Sequence, residues 1–248
     1  MYVLDYWLLP ASTFVLSFII VSHVLAVLDI VQPSWYKARE ISPRPKVTFR
    51  LYTKVMSKTM LNFIISFFIG AFLWSLRITK APEFPSIPIA LLQLTICYFF
   101  AEFSFWTTHF IAHHPVLYKR VHALHHAYPK PIGLVAIYCS HWEMLIVNLP
   151  LSILMPILLQ MHPILNSIWS AGLMFYIVMI HCGHNLIPKW FLDSNYHDQH
   201  HSTSKGNYGS YILDNLFLGK SEEKDKKSEK KRNFSSLRNL AKVIMLCK

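Results

Sequence analysis

The stretch HFIAHHPVLYKRVHALHH, residues 109–126, decides the fold, because it attaches a metal-ligand pattern to the end of an apolar segment. Its histidines recur at spacings of three and four residues, which fall on one face of a helix. Two further groups follow, HCGH at residues 181–184 and HDQHH at residues 197–201. Neutral imidazole binds zinc, iron, copper and nickel. The repeated groups therefore predict a site that could hold two metal ions.

Outward from this stretch the chain is strongly apolar. Of its 248 residues 53% are hydrophobic and only 15% are charged, with a mean hydropathy of +0.33. Intrinsic disorder is excluded, and a membrane protein is the leading class. About 20 apolar residues cross a bilayer as a helix. Five segments are long enough, at residues 7–31, 60–76, 87–106, 142–159 and 163–181.

The sequence predicts an all-α, integral membrane helical bundle of four to five membrane helices, with a cytosolic, histidine-rich metal-binding cap. Pro150 and Pro156 predict a kink in the fourth segment. We divide the chain into N-terminal membrane helices with a basic cytosolic loop (1–98), a domain that carries the histidine groups (99–219) and a basic cytosolic tail (220–248). The first apolar segment has no basic region before it and no clear cleavage site, so we expect it to remain as an anchor.

Charge sets the expected orientation. The loop between the first two segments carries an excess of basic residues over the single acidic Glu40, which marks the cytosolic side of a membrane protein. These basic residues are Lys37, Arg39, Arg44, Lys46, Arg50, Lys54 and Lys58. If each segment crosses once, all the dense histidine groups and the basic tail reach that same side.

The net charge of +11 also bears on partners. Basic residues flank apolar segments, and no basic stripe with interleaved aromatic residues is present, so we expect contact with anionic lipid headgroups and not with nucleic acid. The four cysteines are widely separated, which predicts neither a disulfide framework nor a thiolate zinc site.

Two acidic residues are candidates for supporting the histidines. Glu102 lies inside an apolar segment, where a carboxylate costs about 2.5–3.5 kcal/mol and needs a role. His109 and His113 follow seven and eleven residues later on the same helical face. We therefore expect Glu102 to accept a hydrogen bond from a ligating imidazole, and Asp198 to do the same within the last group.

From residue 99 to 219 the chain resembles the fatty acid hydroxylase and sterol desaturase superfamily of membrane di-iron oxygenases. The resemblance runs through the histidine groups above, PIGLVAIYCSHWEM at residues 131–144, and YHDQHHSTSKGNYGS at residues 196–210. It departs where Phe110 replaces a common arginine, where His184 stands in HCGH instead of the tyrosine of HSGY, and at Lys220. The metal ligands that it implies are His109, His113, His122, His125, His126, His181, His184, His197, His200 and His201.

The resemblance further implies a multi-pass protein of the endoplasmic reticulum membrane with its catalytic face and tail in the cytosol. It implies two iron ions, which zinc can replace in purified protein, and electrons from NAD(P)H delivered through cytochrome b5 or its reductase. The substrate would be a membrane lipid or sterol. Residues 131–143 and HCG are most similar to 4-methyl sterol oxidases, so the implied reaction is hydroxylation of a sterol C–H bond.

Alternatives remain open at this point. The Trp142–Glu143 pair is shared with cholesterol 25-hydroxylase-like enzymes, and a fatty-acyl hydroxylase or desaturase would use the same histidines. A zinc-dependent membrane hydrolase would need only about three ligands with an open position. A non-catalytic sterol-binding relative is the remaining alternative. An acidic electron donor would dock on basic residues of the cytosolic face, for which Lys119, Arg120 and Lys130 are candidates.

Overall fold

The computed structural model describes residues 2–77 and 83–218, and these residues form an α-helical bundle. Their α-helices are α1 (Tyr2–Val31), α2 (Ser34–Lys37), α3 (Phe49–Arg77), α4 (Ile87–Ala112), α5 (Pro115–Val121), α6 (His141–Glu143), α7 (Leu149–Leu158), α8 (Pro163–Ile180), α9 (Ser194–Thr203) and α10 (Tyr211–Phe217). Short 3-10 helices span His125–Ala127 and Gly133–Val135. The predicted all-α class is confirmed. The predicted tail at 220–248, with Lys220, lies outside the described residues.

Five helices are long and apolar enough to cross a membrane, as the sequence predicts. They are Tyr6–Val31, Phe49–Arg77, Ile87–Ala112, His141–Leu158 and Pro163–Ile180. The second begins well before residue 60, and the third continues beyond residue 106, because a helix extends past the apolar stretch that hydropathy detects. The extension of α4 carries His109 on the helix itself.

The fourth spanning helix changes pitch where the sequence predicts a kink. A π-helical turn, Met144–Asn148, joins α6 to α7, and Pro150 is the second residue of α7. Proline has no N–H to donate to the carbonyl four residues earlier, so the regular ladder cannot continue unchanged at this point. π-Helical turns are frequent at functional sites, and this one follows Glu143.

The core forms where α1 packs between α3 and α8. Phe18 is fully buried, and its ring lies 5.5 Å edge-on from Phe63 of α3. Met174 and Val178 of α8 are equally buried against the same cluster. The outward faces are apolar and exposed, for example Phe68 at 67%. An outer surface of this kind suits a lipid environment.

The loop between α1 and α3 folds over the histidine-bearing end of the bundle. Tyr36 is fully buried and its ring stacks on His184 at 3.8 Å. An isolated β-bridge joins Glu40 to His184, and the Arg44 side chain pairs with Asp198 of α9. The basic loop and the histidine groups therefore lie at the same end of the bundle.

Candidate metal centre

Helix ends bring the histidines together. His109 lies in the last turn of α4, and His113, His122 and His181 are the C-terminal caps of α4, α5 and α8. The remaining side chains come from the 3-10 turn at His125–Ala127 and from α9. The Asp193 carboxylate caps α9 by accepting from the backbone N–H of Asn195 at 3.0 Å.

One cluster, the five-histidine group, has all its ligand atoms within 4.8 Å of one another. It consists of His109, His113, His122, His126 and His200. The Nε2 atoms of His109 and His122 are 2.9 Å apart, and the Nε2 atom of His200 lies 3.1 Å from those of His113 and His126. Four of its members are buried and His113 is half-buried.

A second cluster, the four-histidine group, consists of His125, His181, His197 and His201, all buried. The Nε2 atom of His181 lies 3.1 Å from that of His125 and 2.9 Å from that of His197. The two groups are adjacent, because the rings of His126 and His201 stack at 4.6 Å. The arrangement thus offers two neighbouring sites, one for each ion that the sequence predicts.

Hydrogen bonds to carbonyl oxygens fix which nitrogen of three histidine rings carries the proton. The Nδ1–H groups of His109, His181 and His200 donate to the carbonyls of Tyr208, Ile177 and Gly206, at 2.7, 2.7 and 2.6 Å. Each ring then has only a lone pair at Nε2, and each Nε2 atom faces other Nε2 atoms at 2.9–3.1 Å. These lone pairs repel one another unless a cation lies between them, and a cation there would be bound by all of them.

The spacing of these nitrogens also fits metal coordination. Two imidazole nitrogens bound at about 2.0–2.1 Å and at right angles to each other lie about 2.9 Å apart. The Nε2 pairs of 2.9–3.1 Å match this value. Both histidine groups therefore fit a metal ion.

Glu143 faces both groups. Its Oε2 atom lies 3.0 Å from Nδ1 of His122, and its Oε1 atom lies 3.8 Å from Nδ1 of His125. The side chain is buried, and the described residues offer it no lysine or arginine partner. A buried carboxylate without a compensating charge is costly, so its position beside the metal-facing rings fits a site for cations.

Burial keeps the ligand rings neutral. Loss of hydration lowers the pKa of His113 to about 4, that of His126 to about 3 and that of His181 to about 4. Burial lowers the pKa of His197 and His201 well below the usual value, and repulsion from neighbouring rings adds to the effect. Neutral imidazole is the form that binds metal, so the site is prepared for ions at neutral pH.

The structure places three sequence candidates elsewhere. His184 lies outside both groups, with its Nδ1–H donating to the Cys182 carbonyl at 3.0 Å. The Asp198 carboxylate pairs with Arg44 instead of a histidine. Glu102 lines a cavity below the site, where its carboxyl group interacts with the Ser210 side chain. Glu143 takes the position beside the imidazoles that we expected for Glu102 and Asp198. Its only sequence signal was a pairing with Trp142.

A cavity of about 460 Å³ opens between α4 and α8 beneath the metal centre. Its lining is almost entirely apolar and aromatic, and its volume falls in the range of about 300–1,000 Å³ typical of ligand pockets. Phe105 lines it and contacts the His109 ring at 4.9 Å, while Ile177 accepts the hydrogen bond from His181. The upper end of the cavity therefore adjoins both histidine groups.

The part of the chain that carries the histidines is similar to known proteins. The model of the fatty acid hydroxylase family matches residues 94–218, about half of the chain. Human fatty acid hydroxylase domain-containing protein 2 is 30% identical over 173 residues, which are 69% of this chain and 51% of the human protein. No solved structure shows a significant match.

Two further relatives carry sterol names. Methylsterol monooxygenase erg25B of Aspergillus fumigatus is 29% identical over 154 residues, 55% of this chain and 51% of the fungal protein. Cholesterol 25-hydroxylase-like protein 2 of Danio rerio is 28% identical over 229 residues, 86% of this chain and 81% of the fish protein. The chain spans about half the length of the human and fungal relatives.

Proposed function

The chain belongs to the fatty acid hydroxylase family, and from that premise we propose that it is a membrane oxidoreductase that hydroxylates a C–H bond of a sterol. The reaction consumes one dioxygen, two electrons and two protons. One oxygen atom enters the C–H bond to form an alcohol, and the other leaves as water.

One observation carries the proposal: two groups of buried, neutral imidazoles adjoin the upper end of an apolar cavity in a bundle of membrane-length helices. Breaking an unactivated C–H bond requires an oxidant that no side chain supplies, so a cofactor must provide it. The two groups contain nine histidines, whereas a hydrolytic zinc site uses about three protein ligands. This ligand set favours the oxygenase over the zinc hydrolase.

The chain's own residues have distinct tasks in this reaction. The five-histidine and four-histidine groups would each hold one iron ion, and reduced iron supplies the dioxygen chemistry when bound. Glu143 orients the ring of His122. The carbonyls of Tyr208, Ile177 and Gly206 fix other rings with Nε2 toward the metal. The apolar cavity wall excludes water and guides the lipid to the site.

The sterol assignment draws on the relatives and on the cavity. Relatives named for methylsterol and cholesterol share about 28–29% of their aligned residues with this chain. The cavity between α4 and α8 lies at the depth of the spanning helices, where a sterol resides. We infer that a sterol enters from the bilayer with its reacting carbon directed toward the histidines.

Location and electron supply complete the proposal. We propose that the protein lies in the endoplasmic reticulum membrane, as the family resemblance implies. We propose that its histidine end faces the cytosol, because the basic loop between α1 and α3 lies at that end. Electrons would come from NAD(P)H through cytochrome b5 or its reductase. Lys119, Arg120 and Lys130 are exposed at that end and suit an acidic donor, while other basic residues would contact anionic lipid headgroups.

Metal analysis and labelled dioxygen test the function together. Purified protein should contain two iron ions per chain. With an electron donor it should transfer one atom of ¹⁸O₂ to a member of a panel containing a 4-methylsterol, cholesterol and a fatty acyl lipid. A single zinc ion together with turnover in the absence of dioxygen would favour a hydrolase and contradict the proposal. Label appearing only in the acyl lipid would exclude the sterol.

A further inference from the structure

We propose that Glu102 selects the substrate by accepting a hydrogen bond from a hydroxyl group of the lipid in the cavity between α4 and α8, an inference that rests on the proposed function. Among the described residues that line the cavity, Glu102 is the only one with a carboxyl, amino or guanidinium group. Tyr98 and Tyr176 line the same cavity and add two hydroxyl groups to its wall. A polar corner thus interrupts an otherwise apolar wall.

The height of Glu102 in the cavity defines how a lipid would lie. The lining on α4 extends from Leu94 to Phe105, which is about 17 Å along the helix axis. Glu102 lies one turn below Phe105, the residue that contacts His109. A hydroxyl bound at Glu102 would therefore lie near the metal end. The apolar remainder of the lipid would extend toward Leu94 and Trp169.

This orientation restricts the substrate class. The oxidised carbon belongs to the hydroxyl-bearing end of the lipid, because this end is the one nearest the histidines while the apolar remainder extends away from them. For a sterol this end is the ring that carries the hydroxyl group and not the aliphatic side chain. An apolar lipid of the same shape would cover the half-buried Glu102 carboxyl without offering it a hydrogen bond and should bind less well.

The carboxyl group has capacity for such a ligand. It interacts with the hydroxyl of Ser210, which in turn accepts from the backbone N–H of Leu213 at the start of α10. A carboxylate offers about four acceptor positions, so one bond from Ser210 leaves room for a lipid hydroxyl. The competing interpretation is that Glu102 only fixes the start of α10.

Binding measurements separate these two roles without requiring turnover. Purified protein in detergent is titrated with cholesterol and with cholest-5-ene, which has the same skeleton without the hydroxyl group. Wild-type protein should bind cholesterol about tenfold more tightly than cholest-5-ene. Glu102→Leu should bind both sterols with the same affinity, and Glu102→Gln, which keeps an acceptor oxygen, should retain the preference for cholesterol. Phe103→Leu is the matched control, because Phe103 is the next residue of α4 and its side chain is exposed and not part of the cavity lining.

Ser210→Ala decides between lipid selection and a brace for α10. If Glu102 binds the lipid, this variant keeps the preference for cholesterol. The inference is overturned if Ser210→Ala loses the preference for cholesterol as Glu102→Leu does. It is also overturned if Glu102→Leu lowers the affinity for both sterols by the same factor, because the preference for cholesterol then remains.

Turnover separates the failure of this inference from that of the proposed function. Sterol oxidation by Glu102→Leu with an unchanged KM overturns the inference alone. Glu102-dependent binding without oxidation of any sterol supports the inference and contradicts the function.

Discussion

Arg44 and Asp198, separated by 154 positions in the sequence, form a buried ion pair at the metal-binding end of the bundle. The Arg44 guanidinium also donates to the carbonyl of Gly183 at 3.1 Å and to that of Pro131 at 3.3 Å. Its side chain is only 3% exposed. Arg44 therefore connects the loop after α2 to α9, the helix that carries three of the candidate ligands.

Removal of Arg44 should destabilise the protein strongly. Arg44→Met leaves the Asp198 carboxylate buried without its partner, and loss of one member of a buried pair costs about 3–5 kcal/mol. The midpoint of thermal unfolding in detergent should fall, and metal content should fall with it. A double variant, Arg44→Met with Asp198→Leu, should be more stable than the single variant. A double variant as unstable as the sum of both single losses would contradict this explanation.

Glu143 should control metal affinity without being a ligand. Glu143→Gln removes the negative charge beside His122 and His125, and loss of such a supporting group lowers metal affinity about 10–100-fold. The measurement is metal retention during titration with a chelator. Glu83→Gln, at an exposed position before α4, is the matched control. Equal retention by Glu143→Gln and wild-type protein would show that Glu143 does not support the site.

Single histidine substitutions should remove one ion at a time. His201→Ala leaves three ligands in the four-histidine group, and His200→Ala leaves four in the other, so each variant should lose affinity for one ion first. Elemental analysis per mole of protein checks this stoichiometry. His114 is the exposed N-cap residue of α5. His114→Ala and His184→Ala should keep both ions, because neither side chain belongs to a group. Loss of an ion from His184→Ala would return that residue to the ligand set.

Acid should destabilise the metal-free protein. The pKa of His181 is lowered to about 4 in the folded state from an unfolded value near 6.5. The unfolded chain thus binds more protons between these values, and the stability present above pH 6.5 is lost as the pH falls toward 4. Each such histidine contributes about 1.4 kcal/mol per pH unit in this window. Denaturant unfolding of chelator-treated protein at pH 7 and pH 5 measures the loss; equal stability at both values would contradict it.

Charge reversal should slow delivery of electrons. Replacing Lys119, Arg120 and Lys130 together by glutamate removes attraction for an acidic donor, so donor-dependent turnover should fall several-fold at low salt while metal content stays constant. The difference should shrink as salt screens the charges. Arg77→Glu, exposed at the end of α3 opposite the loop and the histidines, should leave turnover unchanged. Unaffected turnover of the triple variant at low salt would exclude this surface.

Helical periodicity predicted the direction of Glu102 but not its contacts. Glu102 and His109 share a face of α4 by their seven-residue spacing, yet this spacing separates them by about 10 Å along the axis. That distance places the carboxyl in the cavity. Asp198 adjoins His197 in sequence, but successive helical residues point about 100° apart, so its side chain reaches Arg44 while His197 faces the four-histidine group.

The sequence by itself determined the helical class, the membrane-length segments and all nine clustered histidines, with His184 as one candidate too many. Hydropathy and the spacing of histidines are local properties that a single segment displays without its neighbours. Only the tertiary structure divided nine histidines into groups of five and four, put Glu143 between them and Arg44 against Asp198, and placed Glu102 in a cavity. Such contacts join residues far apart in the chain, as with His113 and His200, 87 positions apart, and they depend on how the helices pack.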